Sequence, residues 1–349
     1  MRVLALTTQV PFVRGGAECL AEGLVRSIQQ AGHEAELVSI PFKWYPSEKI
    51  LDHMLMARLM DLTESCGDKI DRVIGLKFPT YLVPHPNKVM WLVHQHRSAY
   101  DLWDSTHGGL IHTPNGSQVR QAIINADNHA LAECKNVYTI AGNVSKRLKR
   151  FNNLDSQPIY SPPQGADDFY CDIAADYLFF PSRLNVMKRH HLAIEALAHT
   201  QKAVRVIFGG KSDDKAYVKS LQDLVRKLHL HHRVEFLDEM SEAEKITRYA
   251  QSIAVVYPPL DEDYGYVTLE AMLASKPVIT CHDSGGPLEF VIDRQTGLIT
   301  EPTPKSLAAA MDQLWDDRAL SKTLGAAGRD RYAQMNISWA NVAQTLLSR

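Results

Sequence analysis

Short apolar runs alternate with amphipathic stretches along the whole chain. The first run, Val3–Leu6, predicts a strand. After a loop, Leu20, Leu24 and Ile28 recur at helical spacing within a stretch from Ala17 to Ala31, and Gly32 stops it. Strand-like runs return at Glu36–Ile40, Arg72–Leu76, Lys88–Val93 and Asn136–Ile140. A second series follows, with strands predicted at Tyr177–Phe180, Val204–Phe208, Val234–Leu237, Ile253–Tyr257 and Val278–Ile279. Between and after them, helices are predicted at 190–198, 216–228, 241–250, around Glu270 and at 305–314. The segment from Gly325 to Arg349 also reads as helical, with Trp339, Val342 and Leu346 on one stripe. Strands that alternate with helices imply parallel sheets covered on both faces.

The length of 349 residues exceeds what one ordinary core organises, so two domains are expected. Pro162-Pro-Gln-Gly165 is the best candidate hinge. The fold class is therefore α/β, with two doubly wound, Rossmann-like domains facing a cleft.

Composition narrows the class without naming a substrate. Apolar residues make up 45% and charged residues 22%, as in a soluble globular protein. A formal net charge of −2 gives no general attraction to nucleic acid. No run approaches the ~20 apolar residues of a membrane-spanning helix. The N-terminal run is broken by Gln9, Pro11 and Arg14 and reads as a first strand, not an export signal. Five scattered cysteines without a CxxC pair indicate reduced thiols and a cytoplasmic protein. The basic run Lys146-Arg-Leu-Lys-Arg150 reads first as a solvated helix face. Its second reading is peripheral contact with anionic lipid at the inner face of a membrane.

The densest chemistry lies between Tyr257 and Ile279. A strand runs into a Pro-rich turn, Glu262 lies in the loop, Gly265 precedes a helix, and Glu270 is expected in that helix's first turn. This is the strand end at which α/β proteins bind phosphorylated ligands. The two carboxylates admit three readings: solvated or helix-capping groups, a glycosidase acid/base pair, or clamps for ligand hydroxyls. Asp261-Glu-Asp263 also matches a short metal-binding pattern, but no second cluster of oxygen ligands accompanies it, and no metal is expected. A leaving diphosphate would then need fixed cations. Arg183 and Lys188 supply candidates just past a strand end, although Lys188-Arg-His190 could equally form a solvated helix face. Gly15-Gly16, Gly209-Gly210 and Gly285-Gly286 offer positive φ and close backbone approach, yet each alone is first a turn. GxGxxG is missing, against a dehydrogenase, and so is GxSxG, against a hydrolase. His94, His96, Arg97 and Asp101 gather at another strand end, where a His can bond a sugar hydroxyl or move a proton.

Together these strings resemble the retaining glycosyltransferases of family 4, which have the GT-B fold. The resemblance runs in order through Gly15-Gly-Ala-Glu18, His94-Gln-His-Arg97, Ser182-Arg-Leu184 with Lys188, and Glu262 to Glu270. It then passes through Gly285-Gly-Pro-Leu-Glu289 to Ala327-Gly-Arg329 and Ser338-Trp339. It implies an acceptor-side domain at 1–165, a nucleotide-sugar domain at 166–328, and a helix over 329–349 that crosses back to the first. It implies that Arg183 and Lys188 hold the diphosphate and Glu270 the ribose. Glu262 and the backbone around Gly265, Tyr266 and Val267 would face the transferred sugar, His94 would lie near it, and Gly15 and Gly16 near the phosphates. The reaction implied moves a hexosyl group from a nucleotide-diphosphate sugar to a hydroxyl of a sugar or lipid-linked saccharide. It proceeds with retention and without cofactor or metal, in polysaccharide, lipopolysaccharide or glycoconjugate synthesis. Two rival readings are a nucleotide-sugar epimerase of the same fold and a non-catalytic nucleotide-sugar-binding protein. Pro181-Ser182 and the tyrosines flanking Gly265 depart from the family's commoner residues. The base, the sugar, the acceptor and the oligomeric state are not written in these motifs.

Overall fold

A computed structural model describes residues 1–212 and 214–348. They fall into two compact units. One comprises Met1–Gln164 together with the segment from Ser338, and the other comprises Gly165–Ile337.

The first unit holds a six-stranded parallel sheet. Its strands are β1 (Arg2–Gln9), β2 (Glu34–Pro41), β3 (Arg72–Lys77), β4 (Lys88–His94), β5 (Asn136–Thr139) and β6 (Gln157–Pro158), in the order β2-β1-β3-β4-β5-β6. Val3 pairs with Ala35 on one side and Arg72 on the other, which fixes the register at the centre. β3 and β4 are buried over nearly their whole length, the pattern of strands covered on both faces. Around the sheet run α1 (Gly16–Gln30), α2 (Glu48–Leu59), α3 (Gly116–Ala132) and α4 (Gly142–Asn152). Basic residues of α4 do not form the uniform solvated face expected of 146–150. Arg147 is buried and lies 3.7 Å from Asp101, leaving Lys146, Lys149 and Arg150 exposed.

The second unit repeats the plan with β7 (Leu178–Pro181), β8 (Val206–Gly209), β9 (Val234–Leu237), β10 (Val255–Val256), β11 (Val278–Cys281) and β12 (Gly297–Thr300). The strand order is β9-β8-β7-β10-β11-β12, all parallel. Its helices are α5 (His190–Leu197), α6 (Lys215–Lys227), α7 (Glu242–Gln251), α8 (Tyr266–Leu273), the single turn α9 (Pro287–Phe290), α10 (Pro304–Asp316) and α11 (Arg318–Gln334). Phe179, Phe180, Phe208, Val255, Val256, Ile279, Leu307 and Met311 lie in one buried cluster between sheet and helices. The order reverses between β7 and β10. In sheets of this kind the C-terminal ends of the strands at such a reversal form the ligand crevice.

The end of the chain differs from the single helix expected over 329–349. Asn336 takes φ +49 and Ser338 caps a new helix, α12 (Trp339–Leu347), by accepting from the Asn341 N–H at 3.2 Å. α11 belongs wholly to the second unit, whereas α12 belongs to the first. Arg349, the last residue of the expected helix, lies outside the described residues. Arg72 donates to the carbonyls of Leu346 and Ser348 at 2.7 and 3.0 Å, closing the helix's C-terminal end. The Trp339 ring fills a notch over Gly23, where an added Cβ would come within 2.2 Å of it.

Candidate functional site

Three loops meet at the crevice of the second unit. The loop after β7 carries Arg183, which is exposed, and then a tight turn, Val186–Lys188, capped by the Asn185 side chain on the Met187 N–H at 2.9 Å. The loop after β10 carries Asp261 to Tyr264, and the loop after β11 runs through Gly285-Gly286. Backbone bonds lace them together. Leu260 N–H donates to Met187 O at 2.7 Å, Glu262 N–H to Ser284 O at 3.0 Å, and Gly286 N–H to Glu262 O at 2.8 Å.

Lys188 and Glu262, 74 residues apart in sequence, form an ion pair here, each about one-fifth exposed. The same ammonium donates to the Tyr257 hydroxyl at 3.2 Å. Burial, and after it the charge of Glu262, holds that phenol well above its ordinary pKa. The Lys188-Arg-His190 run is not a solvated helix face. Arg189 donates to Pro258 O and Pro259 O at 2.6 and 2.7 Å and grips Asp283 with two further bonds at 2.8 and 2.6 Å. His190 is fully buried and stacks on Phe180 at 4.3 Å, and burial lowers its pKa to about 3.

Gly265 opens α8 at φ +87, and a Cβ there would stand 3.0 Å from the Pro287 ring. The left-handed turn lets the chain leave the acidic loop and start a helix within one residue. Tyr266 and Val267 form the first helical positions, half-buried, with Tyr264 and Tyr266 edge-on at 4.8 Å. Glu270 is not in that first turn, which carries no acid. It lies one turn further in, 8% exposed, and accepts from the Tyr249 hydroxyl at 2.5 Å and from Lys245 at 3.1 Å. The two carboxylates thus have separate partners, and Glu262 sits on a cation. Among the described residues, no three His, Cys, Asp or Glu side chains gather as a metal would require.

In the first unit, Gly15 and Gly16 begin α1 without positive φ. Gly15 is extended at φ −161, and its N–H donates to Glu18 at 2.8 Å, so the chain's own carboxylate caps the helix. Glu18 also pairs with Lys77 at 3.3 Å. His94 ends β4, and its Nδ1 donates to Gln95 O at 2.7 Å. Its three neighbours separate from it in role. The His96 ring packs at 5.3 Å from Phe78, burial lowers its pKa to about 4, and Arg97 grips Asp101 at 2.6 and 2.8 Å.

Residues 174–331 match the family described as glycosyl transferases group 1. That segment, a little under half of the chain, is similar to group 1 glycosyl transferases. Curated relatives include the mouse alpha-1,3/1,6-mannosyltransferase ALG2, 34% identical over 136 residues. That match covers 38% of this chain and 32% of the relative. The D-inositol 3-phosphate glycosyltransferase of Corynebacterium diphtheriae is 32% identical over 176 residues, covering 48% and 40% respectively. The chain spans about a third of the length of such relatives. Among solved structures, sucrose-phosphate synthase from Thermosynechococcus elongatus superposes with a TM-score of 0.78 at 17% identity, over 99% of this chain and 97% of that one. Anabaena Alr3699/HepE in complex with UDP-glucose gives 0.71 at 18% identity over 98% of each. The fold is GT-B.

The second unit also uses residues that the motifs did not point to. Arg189 locks the loop after β7 onto the loops after β10 and β11, and Lys245 and Tyr249 seat Glu270. Only the basic run itself hinted at Arg189. Nothing in the sequence paired Lys245 or Tyr249 with a residue on another helix.

Proposed function

We propose that the protein is a retaining, metal-independent glycosyltransferase that moves a hexosyl group from a nucleotide-diphosphate sugar to a hydroxyl of a sugar or lipid-linked saccharide. The observation that carries this reading is the Lys188–Glu262 pair at the strand-order reversal of a unit similar to group 1 glycosyl transferases. It sets a cation and an acceptor for hydroxyls side by side at the crevice where α/β sheets take ligands.

In this reading Lys188 and Arg183 hold the diphosphate, Glu270 the ribose, and Glu262 with the backbone of Gly265, Tyr266 and Val267 the transferred sugar. Acceptor recognition is assigned to the first unit, and the family resemblance gives His94 to the transferred sugar and Gly15-Gly16 to the phosphates. The bond from the anomeric carbon to the β-phosphate oxygen breaks as the acceptor oxygen attacks the same face. The acceptor's proton passes to the departing phosphate oxygen, and the two cations balance the charge that grows there. Product anomers identified by NMR test retention, and an inverted product refutes it. Activity that disappears in chelator and returns with manganese would overturn metal independence.

A further inference from the structure

We propose that Lys245 and Tyr249 are positioning residues that present Glu270 to a vicinal diol, so that the unit selects ribonucleotide over 2′-deoxyribonucleotide donors. This rests on the assignment of the ribose to Glu270.

Helix α7 begins with a capping box in which Ser241 and Glu244 bond each other's backbone N–H groups. That fixes the helix end and, with it, the face on which Lys245 and Tyr249 lie four residues apart. Tyr249 is fully buried and donates to Glu270 Oε2 at 2.5 Å, while Lys245 donates to Oε1 at 3.1 Å. Glu242 holds the ammonium from the other side at 2.8 Å, so the lysine has little freedom to turn away. An ionised carboxylate has about four acceptor positions. One on each oxygen is filled from α7, which leaves one on each oxygen. Two acceptor oxygens of one carboxylate match two adjacent hydroxyls.

The charges support this arrangement. Burial works against the Lys245 ammonium, but Glu270 and Glu242 outweigh it and raise its pKa. Burial and then Glu270 hold the Tyr249 phenol well above its ordinary value. Both groups therefore stay donors across the neutral range, and Glu270 is left to accept. A purely structural role, tying α7 to α8, would weaken all nucleotide binding alike. Presentation of a diol acceptor makes the loss fall on the ribose.

The test is calorimetric binding of UDP, GDP and ADP and their 2′-deoxy forms to the full chain. The variants are Lys245→Met, Lys245→Arg, Tyr249→Phe and Glu270→Gln, with melting temperatures to confirm folding. The wild type is expected to prefer the ribonucleotide by on the order of 10-fold, the worth of one charge-assisted hydrogen bond. In Lys245→Met the preference should fall to about 2-fold or less, with Lys245→Arg recovering most of it and Tyr249→Phe intermediate. A preference lost in Glu270→Gln but intact in Lys245→Met and Tyr249→Phe overturns the positioning role alone. A preference intact in all four, or no binding of any of the three nucleotides, overturns the ribose assignment beneath it.

Discussion

Replacing Lys188 by Met separates folding from chemistry most cleanly. The methionine keeps the length of the stem and removes the charge. Glu262 loses its partner, and Tyr257 loses a donor at 3.2 Å. Both members of the ion pair are about one-fifth exposed. The loss should therefore fall between that of a solvated pair, up to about 1 kcal/mol, and a dry one, about 3–5 kcal/mol. A destabilisation of about 2 kcal/mol is expected. If the ammonium also balances charge on a leaving diphosphate, turnover should fall by on the order of 10²–10³, equivalent to about 3–4 kcal/mol. Glu262→Gln in the same background should recover part of the stability, because no buried charge is then left alone, and none of the turnover. Urea unfolding gives the first quantity. Nucleoside diphosphate release gives the second, with whichever UDP-, GDP-, ADP- or dTDP-sugar raises the melting temperature. Turnover that falls no further than stability would refute the placement of Lys188 at the diphosphate.

Gly265→Ala must adopt φ +87 and press on Pro287, so stability should drop by about 1–2 kcal/mol and donor affinity should drop with it, read by calorimetry. Unchanged donor binding would separate that turn from the site. His190 is buried with its pKa lowered to about 3, so the unfolded chain takes up its proton first as pH falls from 6.5. Its contribution to stability is therefore complete above pH 6.5 and is lost on acidification, at up to about 1.4 kcal/mol per pH unit. His190→Phe should flatten that slope in melts between pH 4 and 7, and an unaltered slope would exonerate this residue. Gly23→Ala puts a Cβ into the Trp339 ring, so about 1–3 kcal/mol should be lost. The α12 segment should then be cut earlier in limited proteolysis.

Alternation of apolar runs made the two parallel sheets legible, since fully buried strands such as β7 are short and wholly apolar. Helix starts were legible where a side chain caps them, as Ser241 does for α7. β12 escaped notice because Gly297-Leu-Ile-Thr300 is too short to show a period, and its place is set by pairing with β11. The break between α11 and α12 turns on a single left-handed residue, Asn336, two residues before the cap Ser338. At the site, the charged residues could be named one by one, because loops at strand ends carry them. Their partnerships could not. Lys188 with Glu262, Arg189 with Asp283, and Lys245 with Glu270 join different loops or helices, and which of them meet depends on the order of strands in the sheet. The same dependence pulled His96 into an aromatic cluster and paired Arg97 with Asp101, which also lies near Arg147.

The seating of α12 on the first unit bears on the order of events during synthesis. Val342, Ala343 and Leu346 are fully buried, and the Trp339 ring occupies the Gly23 notch. The apolar face of α1 that they cover is made before the second unit and receives its cover only after it. All of the second unit must be translated in between. For that interval α1 carries an unfilled notch and Arg72 lacks the carbonyls it will bind. The second unit, continuous in sequence, can close its own core sooner. Ribosome-bound chains stopped before Trp339 should therefore hold a protease-resistant second unit beside a first unit that is still readily cut.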